Sequence, residues 1–140
     1  MLESRGGLFG LVVADLYCGS GAMGLEALSR GARRAYFVDA DPACLLAARA
    51  NHESLRLAGE AIFVRASLPQ WRAPADVDLV FADPPYGPLD ASALLANVPA
   101  RRAIIENDRF VEARGWTVTK TKRYGTTLVT MLESAPEDAA

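Results

Sequence analysis

The sequence predicts an α/β protein built on a doubly wound sheet, mostly parallel, with an antiparallel C-terminal hairpin strand at one edge. Three features of the chain carry that expectation. Short β-rich runs alternate with stretches of helical periodicity. A glycine-rich segment joins the first strand to the first helix, a junction typical of such sheets. The last two β-rich runs flank Tyr124-Gly125 and read as a hairpin. A chain of 140 residues fits one domain and can bury about two-thirds of its unfolded surface, enough for a core without cross-links.

Taken in order, Leu11 to Tyr17 reads as a buried strand that ends on Cys18-Gly19-Ser20-Gly21. Ala22 to Arg30 places Met23, Leu25, Ala27 and Leu28 at helical spacing, with Gly31 as the stop. Ala35 to Val38 is the second strand and closes on Asp39. Asp41 suits an N-cap with Pro42 at the first helical position, opening a helix to about Leu57. Ala61 to Val64 and Val77 to Ala82 are the third and fourth strands, the latter running into Asp83-Pro84-Pro85-Tyr86. A helix over Asp90 to Asn97 leads to a fifth strand at Ala103 to Ile105. Trp116 to Thr121 and Thr126 to Leu132 form the hairpin. A single domain over residues 1–133 follows, with a short lead at 1–10 and a frayed tail from Ser134 to Ala140.

Composition excludes several classes. Apolar residues are 51% and charged ones 23%, the balance of a globular chain rather than a disordered one. No apolar stretch is long enough to span a bilayer, so no membrane is expected. Met1 to Gly10 has no basic region followed by an apolar run, which argues against a secretory signal. Cys18 and Cys44 are too few for a disulfide framework and match no metal spacing, so a reducing cytoplasm and no metal are expected. The net charge is −2 and the pI about 5.4, which speaks against non-specific coating of nucleic acid. Thirteen of the fifteen basic residues are Arg; both Lys fall in Lys120-Thr121-Lys122-Arg123. A local basic patch remains open there.

Gly19-Ser20-Gly21-Ala22-Met23-Gly24 has the G-x-G-x-x-G spacing between a strand and a helix. Such glycines allow a tight turn and let a ligand approach the backbone. Asp39 lies about twenty residues further on, where a carboxylate can accept hydrogen bonds from ribose hydroxyls. These features suit a dinucleotide or S-adenosylmethionine alike. Asp15, at the end of the first strand, favours the second: it would repel a pyrophosphate but attract the amino group of a methionine moiety. Its other reading is a cap on the turn that follows.

Asp83-Pro84-Pro85-Tyr86 leaves the fourth strand at the edge where ligands bind in such sheets. The prolines fix φ and lack N–H groups, so the chain exits in a rigid extended turn. The Asp83 carboxylate and the Pro84 carbonyl then aim two acceptors at one point, with Tyr86 as a flat face beside them. An exocyclic base amine fits: accepting both its N–H hydrogens favours a tetrahedral nitrogen whose lone pair can attack a methyl group.

With these residues placed, the chain resembles the RsmD-like family of bacterial methyltransferases that modify guanine N2 in small-subunit ribosomal RNA. The run from Ala14 to Ala32 carries the likeness, above all Gly24-Leu25-Glu26-Ala27-Leu28-Ser29-Arg30-Gly31; Phe37-Val38-Asp39, Asn51 and Asp78 to Tyr86 extend it. The resemblance implies a Rossmann-like class I methyltransferase sheet. It implies S-adenosylmethionine at Asp15, Gly19, Ser20, Gly21, Asp39, Ala40, Ala66, Ser67 and Asp83, and target contacts at Asp83, Pro84 and Tyr86. The implied partner is 16S rRNA or a small-subunit assembly particle, met by a cytoplasmic monomer. Three positions depart from the family pattern. The lead before the first strand is about ten residues; Arg65-Ala66-Ser67 has no acid for the adenine amine; and Glu106 to Gly115 is short for a full helix. Ser67 or backbone would serve in place of the missing acid.

Other residues have plainer roles. Glu26 and Arg30 suit a surface i,i+4 pair. His52 falls on a polar helix face, Cys18 fills space, and Trp71 and Trp116 pack. Glu106 can border the pocket or make a turn contact. Lys120, Lys122 and Arg123 form a solvated strand edge or a phosphate contact.

Overall fold

Residues that alternate β-rich and helical in the sequence form seven strands and three helices in the computed structural model, which describes residues 7–134. The strands are β1 (Val12–Leu16), β2 (Arg34–Asp39), β3 (Glu60–Arg65), β4 (Leu79–Ala82), β5 (Arg102–Asn107), β6 (Trp116–Tyr124) and β7 (Thr127–Ser134). The helices are α1 (Ala22–Ser29), α2 (Pro42–Leu55) and α3 (Ala91–Ala96). They form one sheet in the order β3-β2-β1-β4-β5-β7-β6. The first five strands run parallel, and β7 is antiparallel to both β5 and β6.

β1 lies inside the sheet between β2 and β4, every residue buried, which is why its sequence is an unbroken apolar run but for Asp15. One face of the sheet carries α1 and α2 on Val13, Phe37, Leu79 and Phe81. The other packs Leu16, Val80 and Ile105 against Leu94 and Leu95 of α3. Capping follows local chemistry. Asp41 Oδ1 accepts the Ala43 N–H (2.9 Å) with Pro42 at the helix start, and Asp90 Oδ1 accepts the Ala93 N–H (3.0 Å).

Element bounds differ from expectation where tertiary pairing outruns the local pattern. α2 stops at Leu55 because Arg56 turns left-handed (φ 51°). β4 begins at Leu79 rather than Val77. β5 extends from Arg102 to Asn107 because β7 pairs with it out to Leu128. β6 continues to Tyr124, so the hairpin turn is Gly125-Thr126 rather than Tyr124-Gly125, with Gly125 at φ 62°. The expected frayed tail begins too early: Ser134 is the last residue of β7, and the rest of that tail lies outside the described residues, as does most of the lead. No helix intervenes between β5 and β6.

Gly24 is a packing residue. A Cβ there would lie 2.4 Å from Cε1 and 2.8 Å from Cζ of Phe37. Phe37 is fully buried and stacked on Phe63 with ring centroids 5.0 Å apart, so it has nowhere to go. Gly24→Ala gains up to about 1 kcal/mol of helix propensity but overpacks the core at roughly 1–3 kcal/mol. Net destabilisation in urea unfolding is the expected result; unchanged stability would contradict this packing role.

Candidate active site

The parallel register brings four acids to one edge. Leu16 pairs with Val38 and with Ala82, and Ala82 pairs with Ile105. The residues that follow these rows include Asp39, Asp83 and Glu106. Asp15 lies just below them on β1.

The glycine loop leaves β1 with Gly19 at φ 53° and Gly21 at φ 87°. Around Gly19 a Cβ would meet nothing within 4 Å, whereas at Gly21 it would press on Ala48 and Phe37. Gly19 therefore borders open space and Gly21 borders the core. Asp39 holds the loop: its Oδ2 accepts the Gly19 N–H (3.1 Å) and its Oδ1 accepts the Asp41 N–H (3.0 Å). The Ser20 carbonyl accepts from Asn51 Nδ2 (3.0 Å). Ala66 joins the same edge, its N–H donating to the Asp39 carbonyl (3.1 Å); Ala40 and Ser67 are exposed beside it.

Asp15 is 2% exposed. Its Oδ2 accepts the Gly24 N–H (2.9 Å), so β1 caps α1, whose own N-cap Gly21 has no side chain to do so. Burial pushes the Asp15 carboxyl up to about 7 against the pull of that bond, helped by Asp83, Asp39 and Glu106.

The Asp83 N–H donates to the Leu16 carbonyl (3.3 Å), tying the second loop to β1. Pro84 is buried, while the Asp83 side chain remains open to solvent on one side. Partial burial raises its carboxyl above the ordinary range. Tyr86 is 54% exposed and its hydroxyl bonds Thr127 Oγ1 at the start of β7. Asn107, fully buried, clamps the loop from β5: its Nδ2 donates to the Gly87 carbonyl (3.2 Å) and its Oδ1 accepts the Gly87 N–H (3.4 Å). Sequence reasoning missed Asn107; its signal was a polar residue two positions past an apolar strand at the ligand edge.

Asp15, Asp83 and Glu106 line one narrow cleft together with Met23, Phe81 and Ile104. A larger hollow, about 560 Å³, lies elsewhere, between the outer faces of α1 and α2. It is open, and the two loops do not converge on it. The cleft lining has acids and no Lys or Arg. Such a field suits a cationic sulfonium and ammonium and opposes a pyrophosphate. The residues present therefore fit S-adenosylmethionine better than a dinucleotide.

Neighbouring residues take plainer parts. Cys18 is buried, its thiol pushed up to about 12 by burial and by Asp15 and Asp39, and is no nucleophile. His52 is not on a polar face: it is half-buried, edge-on to Phe63 at 6.1 Å. Glu26 and Arg30 form the expected surface pair at 3.1 Å. Trp71 and Trp116 pack on the α3-side core. Among the described residues no His, Cys, Asp or Glu group is arranged to hold a metal ion, and no helix is long and apolar enough to cross a membrane.

This strand order, the reversed β7, the glycine loop after β1 and the acid ending β2 together define the fold of class I S-adenosylmethionine-dependent methyltransferases. "Putative methyltransferase yhhF" from Escherichia coli superposes with a TM-score of 0.78 at 26% identity, over 93% of this chain and 78% of that one. Magnesium protoporphyrin IX methyltransferase from Synechocystis, solved with bound S-adenosylmethionine, shares the fold at a TM-score of 0.71 and 19% identity, over 93% and 73%. The chain belongs to the RsmD-like family, described as Conserved hypothetical protein 95, whose model matches residues 7–133. "Putative rRNA methyltransferase YlbH" of Bacillus subtilis is 34% identical over 104 residues, 71% of this chain and 56% of that protein. Ribosomal protein L11 methyltransferase of Saccharophagus degradans is 45% identical over 91 residues, 63% of this chain and 30% of that protein. The chain thus spans a little over half of one curated relative and under a third of the other.

Proposed function

We propose that this chain is an S-adenosylmethionine-dependent N-methyltransferase of ribosomal RNA, acting as a cytoplasmic monomer. Its target is the exocyclic N2 amine of a guanine in 16S rRNA, within the small subunit or its assembly particle. One observation carries the proposal: the glycine loop and the Asp83-Pro84-Pro85-Tyr86 loop leave the adjacent strands β1 and β4 at the same edge. S-adenosylmethionine supplies an electrophilic methyl group on a positively charged sulfur. Asp39 would hold its ribose, Asp15 its amino group, and Gly19, Ser20, Gly21, Ala40, Ala66 and Ser67 its remaining contour, with Asp83 bordering it.

On the target side, the Asp83 carboxylate and the Pro84 carbonyl accept the two amine hydrogens, which directs the nitrogen lone pair away from the base ring. Asp83 is also the acceptor closest to the proton that the methylated amine releases. The base leaves its stack to reach this point, and the exposed Tyr86 ring offers a stacking face worth roughly 1–3 kcal/mol. Lys120 and Arg123 are exposed on β6 and Lys122 half-exposed, and they would meet phosphate.

Incubation with labelled S-adenosylmethionine and undermethylated small subunits tests the proposal, together with calorimetric titration of S-adenosylmethionine and NAD. The expected result is binding of the first cofactor alone and label in 16S rRNA at guanine. Tight NAD binding, label in adenine or protein, or cofactor binding without turnover would each overturn it.

A further inference from the structure

One carboxylate of the cleft has no part in this chemistry. Glu106, the penultimate residue of β5, lies beside Asp83 and on the same side of the sheet as Asp15, with Phe81 and Ile104 below it. Its side chain is half-buried and makes no hydrogen bond or ion pair with any described residue. Burial and the nearby Asp83 both raise its carboxyl above the ordinary range, so the fold gains nothing from a charge there. Asp15 closes the opposite wall. It is 2% exposed, with one oxygen bonded to Gly24 and the other free of any described partner. A half-buried acid without a protein partner, next to an amine-binding loop, calls for a donor from outside the chain.

We infer that Glu106 reads the identity of the base, accepting N1–H of guanine while Asp83 and Pro84 hold the neighbouring N2 amine. This rests on the target being a purine amine, as proposed above. Guanine presents N1–H and N2–H as adjacent donors, and two carboxylates side by side match that edge. Adenine presents an amine beside an N1 lone pair, which would face the Glu106 carboxylate with no hydrogen between them. 2-Aminopurine keeps guanine's C2 amine but likewise has a lone pair at N1. A site built to accept a hydrogen bond discriminates strongly against an analogue that lacks the donor, because its own acceptor is then left unpaired. Asn107, the next residue on β5, clamps Gly87 and so fixes the spacing between Glu106 and the Asp83 loop. Glu106 is a specificity-determining residue, distinct from Asp83, which handles the reacting nitrogen.

Small-subunit particles reconstituted with guanine or 2-aminopurine at the methylated position provide the test, with wild-type protein and Glu106→Gln. Wild type is expected to favour guanine by about ten- to a hundredfold in kcat/KM. Glu106→Gln, whose amide can donate as well as accept, narrows that ratio to within about threefold. A ratio that persists in the variant, even with a lower overall rate, assigns Glu106 a merely structural part and overturns the inference. Equal use of both bases by wild type overturns it without any variant. If wild type methylates no purine amine at all, it is the proposed function that fails, a result distinct from either of these.

Discussion

Asp83→Ala is expected to lower kcat for methyl transfer by about 10²- to 10⁴-fold, the range for losing a positioned proton acceptor. Affinity for S-adenosylmethionine should stay within about threefold. The Asp83 side chain makes no hydrogen bond with a described residue, and its charge raises the carboxyls of Asp15 and Glu106. Removing it relieves repulsion in the cleft, so the fold does not weaken. The backbone bond from Asp83 N–H to Leu16 remains in the variant. Single-turnover methylation, calorimetry and thermal unfolding on one preparation separate the cases. Full activity would refute the role of Asp83; a parallel loss of cofactor binding would assign the residue to the cofactor instead.

Asp15→Asn is expected to stabilise the protein above neutral pH while weakening cofactor binding. An acid whose pKa rises from 3.8 to about 7 on folding keeps its proton in the folded state over a range where the unfolded chain has lost it. Stability from this group is therefore complete below about pH 4 and is lost as pH rises through 7. At about 1.4 kcal/mol per pH unit the loss is on the order of 4 kcal/mol. Asparagine is neutral throughout, and its side-chain oxygen can still accept the Gly24 N–H. In urea unfolding the variant should match wild type near pH 4 and exceed it by a few kcal/mol at pH 8. Affinity for S-adenosylmethionine should fall about ten- to a hundredfold, the equivalent of one charge-assisted hydrogen bond. An unchanged pH slope in the variant would show that Asp15 is not the group that titrates.

Features that act within a few residues were legible in the sequence. Asp41 with Pro42, and Asp90, cap their helices because a cap bond reaches only two or three residues along the chain. Alternation of strand and helix made the mostly parallel sheet with an antiparallel C-terminal strand readable, but that strand was expected at the edge and β7 instead lies between β5 and β6. What depends on distant partners was not legible. Gly19, Gly21 and Gly24 look alike as letters, yet Gly19 faces open space and Gly24 makes room for Phe37. Glu106 and Asn107 look like loop residues, but β7 pairs with both and keeps them in the ladder. Tyr86 bonds a threonine 41 residues away. His52 sits at a polar spacing on α2, but Phe63 of β3 is packed beneath it. In the site, spacing and residue type identified Asp15, Asp39 and Asp83 as neighbours; the bond from Gly24 to Asp15 and the Asn107 clamp needed coordinates.

The position of β7 has a consequence for biosynthesis. β7 follows β5 and β6 in the chain but lies between them. A nascent chain therefore carries β5 with a bare outer edge and β6 with no neighbour until Thr127 to Ser134 has emerged from the ribosome. Open edges invite mispairing, and the lysines of β6 are the kind of charge that discourages it. The part of the cleft built on β1, α1 and β4 can assemble during translation. The half that carries Glu106 is completed only when β7 slides between two waiting strands.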